Sequence, residues 1–492
     1  MAKEDQTKEE TRGITVKKEE DFSEWFTQVI KEAELADIRY NVKGFLVYRP
    51  WCVHTWNIMY DKLAGILEKK GHQPLIMPTV IPESNFKLES KHVEGFAPAV
   101  FWITEHGAGE KIEERLALRP TSETAFYQMF ALWIRSYKDL PLKTYQRASV
   151  FRYEGKATRP FFRAREFYWI EAHDAFATEK DATNQVKEDM ETTKEFLLDE
   201  LAIPFIFFQR PEWDKFPGAV NTYAADALMP SGKVIQLPST HMLGQNFSKP
   251  FNVKYIDKDG TEKYAYITCY GPAISRIYGA LIAFHGDDKG LVLPFDLAPI
   301  QIVIVPILFE DTKRIVLKKC YELEKKLRRH YKVKVDGDDE KSAGWKFNYW
   351  EMKGVPIRIE IGPNDLKKKQ AIVYSRDTGE KETIKEKDLI DHVKAIASDF
   401  TERLKKNAER VFNTSIVDAD SIEEVKENIG SKIVRVNFCS IDKDGEPCAE
   451  IVEKELLASV RGTRFGLDET PKGKCVFCGK PAKVVAYIAK SY

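Results

Sequence analysis

The chain has 492 residues and carries 76 Lys+Arg against 76 Asp+Glu, so no global field draws it to a polyanion and any nucleic-acid site must be a local patch. With 43% hydrophobic residues it reads as a soluble globular protein of roughly three domains at about 100–200 residues each. Its longest apolar run, Ile300–Phe309, is too short to span a membrane and contains Pro306, and the charged first twenty residues read as a flexible tail, not a secretory signal.

From Phe22 to Ala36, apolar residues at 22, 25, 26, 29, 30 and 33 predict a helix with one buried face, and Trp51–Leu67 repeats the pattern. Gly71 leads into Leu75–Pro82, an apolar strand interrupted by Pro78. A proline there implies an edge or bulge that another subunit could cover. Leu116–Thr124 predicts a strand running into a helix, with Ser122 as its cap. Next comes Phe151–Phe167, in which Arg152 and Glu154, then Arg163 and Arg165, share strand faces on either side of a hairpin loop at Gly155–Pro160. Guanidinium groups, a carboxylate and aromatic planes on one face suit a nucleotide, and they equally suit a salt-bridged sheet face. Asp181–Leu201 is a polar-faced helix; Phe205–Phe208, Val234–Leu237, Tyr264–Thr268 and Leu291–Pro294 read as strands. Residues 70–295 thus predict a largely antiparallel sheet flanked by helices. From Gln301 the style changes. Strands at Gln301–Val305, Tyr331–Val335, Val355–Ile361 and Gln370–Ser375 alternate with a helix at Arg314–His330, an α/β domain with parallel pairing. Leu389–Phe412 is a long amphipathic helix leading to a tail module.

Several constellations carry chemistry. Cys475-Val-Phe-Cys478-Gly479 is a knuckle turn, and Cys439 with Cys448 completes four thiolates for a closed structural zinc site. Arg119-Pro-Thr-Ser-Glu-Thr offers the Thr121 hydroxyl and the Glu123 carboxylate to an ammonium group, although Ser122-Glu123 by itself is helix-start chemistry. Gln236-Leu-Pro-Ser-Thr-His241 combines amide, hydroxyl and imidazole, and Arg276 is placed to stack on a base. Trp169, Phe216 and Phe96 could wall a small apolar pocket. Lys346, Phe347, Lys353, Arg358, Glu360, Asn364 and Lys367–Lys369 give the α/β domain a basic, aromatic-bearing surface suited to unpaired RNA bases, or a solvated lysine run.

These blocks, in this order, resemble the signatures of prolyl-tRNA synthetases of the archaeal/eukaryotic type, and the resemblance covers 22 to 492. It implies an α+β class II synthetase core over 21–298 after a tail at 1–20, an α/β anticodon-binding domain over 299–405, and a small zinc-binding α+β C-terminal domain over 406–492. It implies proline and ATP, with Mg2+, giving prolyl-adenylate, then transfer to tRNA(Pro), by a cytoplasmic homodimer with Pro78 at its interface, structural Zn2+ and no membrane partner. Residue by residue, Thr121 and Glu123 would hold the proline imino group, and His241, Trp169, Phe216, His173 and Phe96 would wall its ring. Arg152 would bridge the proline carboxylate and the α-phosphate, Glu154 read the adenine amino group, and Phe167 and Arg276 sandwich the base. Arg163 would hold phosphates, and Gln236 and Ser239 would contact ATP and its magnesium. Phe347, Lys353, Arg358 and Glu360 are the anticodon candidates, and Cys439, Cys448, Cys475 and Cys478 the metal ligands.

Adenylate formation needs no protein nucleophile, since the substrate carboxylate attacks; it needs alignment and charge neutralisation at the α-phosphate. Only about 70 residues separate Ala177 from Gln245, too few for an editing domain, so alanine and cysteine are expected to be misactivated. Two other readings compete. One is a synthetase-like binding protein that has lost its motif arginines, but Arg152, Arg163 and Arg276 are all present. The other is a related enzyme for threonine, which would use a catalytic zinc; no cysteine–histidine ligand set is visible near the motif blocks.

Overall fold

Alternating apolar and polar residues in short segments build one long sheet. The computed structural model describes residues 13–88, 99–155 and 158–492. It divides into two compact units, one comprising 38–46, 56–284 and 405–492, the other the N-terminal residues to Asp37 with 47–55 and 285–404.

The larger unit is organised by an eleven-stranded sheet. Its strands are β1 (Gln73–Pro74), β2 (Leu142–Phe151), β3 (Glu166–Phe176), β4 (Ile206–Gln209), β5 (Asn221–Leu228), β6 (Val234–Gly244), β7 (Tyr266–Tyr270), β8 (Ile416–Ala419), β9 (Ile433–Phe438), β10 (Ser459–Arg464) and β11 (Val484–Ala489). They lie in the order β8-β9-β11-β10-β4-β5-β6-β7-β3-β2-β1. Only β1–β2 and β8–β9 pair in parallel, so the antiparallel sheet expected for the core is present. Pro78 separates β1 from a second short strand at Val80–Pro82, as the interrupted apolar run predicts.

Side chains alternate across a strand, and the helix Glu179–Lys194 uses one face. Asp189 accepts hydrogen bonds from Thr240 Oγ1 (2.7 Å) and Gln185 Nε2 (2.8 Å), and the Thr193 hydroxyl meets the Tyr270 hydroxyl at 2.9 Å. Burial, reinforced by the neighbouring Asp174 carboxylate, pushes Asp189 up to about 7. The opposite face of the same strands carries Trp169, Glu171, His173, Cys269, Ser239 and His241.

The C-terminal module continues this sheet and belongs to the same compact unit as the core. β10 pairs with β4 (Thr463 with Gln209, Arg464 with Phe208). A Cβ at Gly462, whose φ is +112°, would lie 1.9 Å from the Gln209 carbonyl oxygen, so only glycine permits the approach. Beside it Asp226, fully buried, accepts from Arg210 at 2.7 and 3.0 Å and from Arg461 at 2.6 and 3.1 Å. Burial alone would raise this carboxyl; the two guanidinium groups hold it below the usual range.

The smaller unit has a five-stranded sheet in the order Val333–Val335, Ile302–Pro306, Ile357–Ile361, Gln370–Ser375, Lys381–Lys385. Its first three strands are parallel, as expected, and the last two are antiparallel, making the sheet mixed. The helix Phe22–Glu32 belongs to this unit instead of to the core. Trp25 donates its indole N–H to the Asp287 carbonyl (3.0 Å), and Lys353 reaches the Ala33 carbonyl and Glu34, both at 2.7 Å. Lys18, placed by sequence in a free tail, donates to the Asp288 carboxylate (2.8 Å) and the Gly286 carbonyl (2.6 Å). Leu291–Pro294 is not a strand. The Leu291 amide bonds to the Met352 carbonyl (3.1 Å), but Pro294 carries no N–H with which to extend a ladder.

Replacing Asp226 with alanine leaves two buried guanidinium groups without their acceptor. The larger unit should lose roughly 3–5 kcal/mol, read as a lowered urea midpoint with β4 and β10 exchanging amide hydrogens faster; an unchanged midpoint contradicts this account.

Candidate active site

Arg119 fixes one wall of the cleft. Its guanidinium donates to the Ser149 and Met77 carbonyls (both 2.9 Å), which presents Pro120–Glu123 to the sheet. Ser122 sits at the N-cap of the helix Glu123–Trp133 but makes no capping bond; its hydroxyl donates to Glu171 at 2.5 Å. Ser122-Glu123 is thus more than helix-start chemistry. Glu123 is 3% exposed and accepts from the Thr121 hydroxyl at 2.6 Å.

The floor is set by strand register. Thr222 on β5 pairs with His241 on β6, His241 with Cys269 on β7, and Cys269 with His173 on β3. His241 is held by the Thr222 and Ser239 hydroxyls, both at 3.0 Å, and lies 4.5 Å from the Phe216 ring. Burial, then the neighbouring His173 and Arg210, push its imidazole down to about 3, so it is neutral at physiological pH. His173 stacks on Phe126 with centroids 4.1 Å apart, and its nitrogens meet the Tyr127 hydroxyl (3.0 Å) and Glu171 (3.2 Å). Burial would raise Glu171, but hydrogen bonds from His173, Ser122 and Gln146 hold it below the usual range.

The mouth is cationic. Arg152 donates to the Pro120 carbonyl (3.0 Å) and lies over the rings of Phe167 and Trp169, at 5.1 and 5.9 Å. Arg276, in the first turn of the helix Ile274–His285, donates to the Gln236 carbonyl (3.1 Å). That helix sits tight on the hairpin, where a Cβ at Gly279 would lie 2.8 Å from Phe161 and Phe162. Burial, then the like charge of Arg152, bring Arg276 down to about 10, still charged at neutral pH. Arg163 pairs with Glu154 at 3.8 Å and donates to the main-chain oxygen of Tyr492 at 2.9 Å. Gln236 accepts on its side-chain oxygen from Arg210 (3.1 Å).

The cleft encloses about 170 Å³ and brings together Thr121, Glu123, Arg152, Phe167, Trp169, His173, Phe216, Gln236, Ser239, His241 and Arg276. Glu154 and Arg163 do not line it, and Phe96 lies outside the described residues. Arg152 and Glu154 lie beyond the end of β2, at Phe151, so their common face is not that of a strand. Arg165 packs over the Tyr153 ring at 4.2 Å, a structural contact.

Glu171, Thr222, Cys269 and Tyr270 also line the cleft and were not anticipated. The i, i+2, i+4 spacing of Trp169, Glu171 and His173 was enough to find Glu171; no local pattern marks Cys269. Glu123, His173 and Cys269 offer ligand atoms within 4.8 Å of one another. A cysteine and a histidine therefore do lie together beside the motif blocks, where no such set is visible in the sequence.

In the smaller unit, three of the RNA-facing candidates turn inward. Lys353, Arg358 and Glu360 are 3%, 3% and 2% exposed. Lys353 is tied to Glu34, and Arg358 donates to Glu360 (3.0 Å) and Glu351 (2.8 Å) between the rings of Phe347 and Tyr374. Lys346 is buried against the Asp336 and Asp338 carbonyls. Half-buried Phe347 remains accessible, with exposed Trp345 stacked on Tyr349 at 5.1 Å nearby in the same helix. In the C-terminal module Cys439, Cys448, Cys475 and Cys478 place their sulfurs within 4.8 Å of one another, the first three buried.

Residues 101–285 match the family model described as tRNA synthetase class II core domain (G, H, P, S and T). Residues 301–396 match the anticodon binding domain, and 422–492 match prolyl-tRNA synthetase, C-terminal. The chain is 52% identical to proline–tRNA ligase of Thermofilum pendens over 98% of this chain and 99% of that one. It is 45% identical to the Methanopyrus kandleri enzyme over 96% of each. A solved structure of Giardia lamblia prolyl-tRNA synthetase in complex with prolyl-adenylate superposes with a TM-score of 0.92 at 37% identity, covering 97% of this chain and all of that one. An anionic pocket floor under a cationic mouth, on this sheet and with these three matched regions, makes the chain a member of the prolyl-tRNA synthetases, class II aminoacyl-tRNA synthetases that ligate proline to its tRNA.

Proposed function

We propose that the floor of the cleft holds proline and its mouth holds ATP, as the magnesium complex, so that the proline carboxylate attacks the α-phosphate and pyrophosphate leaves. The observation that carries this division is the buried Glu123 carboxylate lying in one cleft with the arginines 152 and 276. Glu123, steadied by Thr121, receives the secondary ammonium, and neutral His241, Trp169, His173 and Phe216 enclose the ring. Arg152 spans the gap to the α-phosphate, and Phe167 and Arg276 flank the adenine. Glu154 and Arg163 close on the nucleotide from outside the cleft, and Gln236 and Ser239 offer neutral oxygens to the phosphate side. Positive charges crowded in a desolvated cleft are costly until phosphate neutralises them, which concentrates stabilisation on the transition state.

The four clustered thiols fit a structural zinc, which would cross-link the C-terminal module when bound; no acidic or catalytic group shares that cluster. The partner tRNA(Pro) would offer unpaired bases to Phe347 and the Trp345–Tyr349 stack, with Arg358 and Glu360 holding Phe347 in place and Lys353 anchoring the helix below. Residues 177–245 are consumed by one helix and the strands β4, β5 and β6, which supports the absence of an editing domain and the misactivation of alanine and cysteine. A homodimer with Pro78 at its interface is supported by Ile76, 87% exposed beside that proline. Among the described residues no helix is long and apolar enough to cross a membrane, in keeping with a cytoplasmic site of action.

Amino-acid-dependent ATP–pyrophosphate exchange across the twenty amino acids should be strongest with proline, measurable with alanine and cysteine, and reduced at least about 10²-fold by Arg152→Ala. Strongest exchange with another amino acid sinks the assignment. His241 ring resonances should not titrate between about pH 5 and pH 8, because the lowered folded-state value keeps the ring neutral while an unfolded histidine protonates near 6.5. Stability linked to this ring is therefore present above about pH 6.5 and is lost as pH falls from there towards about 3. A ring titrating near 6.5 in the folded protein contradicts the neutral wall. Ile76→Glu should convert a sedimenting dimer to monomer; a wild-type monomer at all concentrations removes the dimer reading.

A further inference from the structure

We propose that the floor of the proline pocket is itself a binding site for a thiophilic divalent cation such as Zn2+, formed by Cys269, His173 and Glu123, and that the metal and proline exclude one another. Three observations on separate elements converge. Cys269 on β7 is directly opposite His173 on β3, so the sheet register places thiol and imidazole side by side. Glu123 reaches them from the start of its helix, and the three ligand atoms lie within 4.8 Å of one another. All three side chains are buried on the wall of an accessible cleft, so an entry path exists.

The donor set is chemically selective. A sulfur, a ring nitrogen and one carboxylate oxygen suit zinc or cobalt and disfavour magnesium or calcium, which prefer oxygen. Zinc–ligand bonds of about 2.0–2.3 Å put donors roughly 3.4–3.7 Å apart, so the cluster must close by about an ångström. The terminal torsions of Glu123 and Cys269 can supply that movement. Three protein ligands leave the fourth position to water, the pattern of an open site. Coordination forms a sulfur–metal bond and releases the thiol proton to solvent. His173 would exchange its contact with Tyr127 or Glu171 for the metal, while the other partner keeps the ring oriented.

Exclusion of proline rests on the reading that Glu123 receives the imino group, since one buried carboxylate cannot satisfy both. This cluster is distinct from the four cysteines of the C-terminal module, which share none of its residues.

The test is metal stoichiometry on the full chain. Metal-free protein titrated with Co2+ should take up one more equivalent than Cys269→Ala, with an added thiolate charge-transfer band. A Cys475→Ser, Cys478→Ser background isolates that equivalent from the tail. Glu123→Gln, which preserves shape, should weaken it at least tenfold. Millimolar proline should displace this equivalent and no other, and Zn2+ should raise the KM for proline in exchange assays without changing kcat. Equal stoichiometry for wild type and Cys269→Ala overturns the site, whatever the exchange assay shows. Metal bound but indifferent to proline overturns the exclusion and the imino role of Glu123 while leaving the site. Exchange specific for another amino acid overturns the functional reading alone.

Discussion

The register of three neighbouring antiparallel strands is the constraint on which the cleft depends. β6, β7 and β3 bring His241, Cys269 and His173 into one row, and Thr222 on β5 extends it. A slip of one residue in any of these strands would turn its member of the row to the opposite face. The opposite face is fixed independently: Thr240 is bonded to Asp189, Tyr270 to Thr193, and Asp174 to His72. Polar contacts on the helix side thus lock the register that the substrate side needs. The buried Asp189 and Asp174 are best understood in those terms, as structural groups with hydroxyl, amide and imidazole partners.

Charge is managed in two different ways on the same sheet. Asp226 with Arg210 and Arg461 is a closed system, in which carboxylate and guanidinium groups satisfy one another in the dry interior. Arg152 and Arg276 form another, in which carbonyl oxygens and aromatic faces lie against the guanidinium groups and the Glu154 carboxylate acts on both. Burial lowers both, but not enough to discharge them. The two systems touch. Arg210 donates to the Gln236 side chain, while Arg276 donates to the Gln236 main-chain oxygen. Gln236 is therefore the joint between the ion cluster that binds the C-terminal module and Arg276 in the cleft. The Arg163–Tyr492 contact makes a second connection of the same kind. The C-terminal module is thus tied to residues beside the cleft, and the sheet runs on into it.

Sequence pattern revealed the elements better than their company. Periodicity located the helices at Phe22–Glu32, Pro50–Lys69 and Leu389–Asn413 and most strands, because one buried face leaves a local signature. It could not show that the first helix packs with the α/β unit, since that depends on Trp25 and Lys353, distant in the chain. Eleven of the expected cleft residues meet in one place because motif blocks carried them. Cys269 was not expected in the cleft because its place there comes from cross-strand neighbours and from nothing adjacent in sequence. The basic surface of the smaller unit was misread for the opposite reason: charge in a sequence says nothing about direction, and Lys346, Lys353 and Arg358 spend theirs on interior carbonyls and carboxylates.

The pocket's selectivity follows from how few charges its floor contains. With His241 neutral and Glu171 committed to Ser122, Gln146 and His173, the proposed reading assigns the cation to Glu123, which accepts from Thr121. On that reading the floor recognises a secondary ammonium by charge and its ring by shape. Rejection of a smaller amino acid by shape alone is modest, about 1–3 kcal/mol per missing methylene, because a half-filled apolar pocket loses contacts without creating a clash. Glu123 stands beside a thiol and an imidazole, and the second carboxylate of the floor, Glu171, is engaged by His173, Ser122 and Gln146. On the proposed reading, a site that receives one positive charge at Glu123 is open to any positive charge that the neighbouring thiol and imidazole also bind, and the occupancy of Glu123 decides between amino acid and metal.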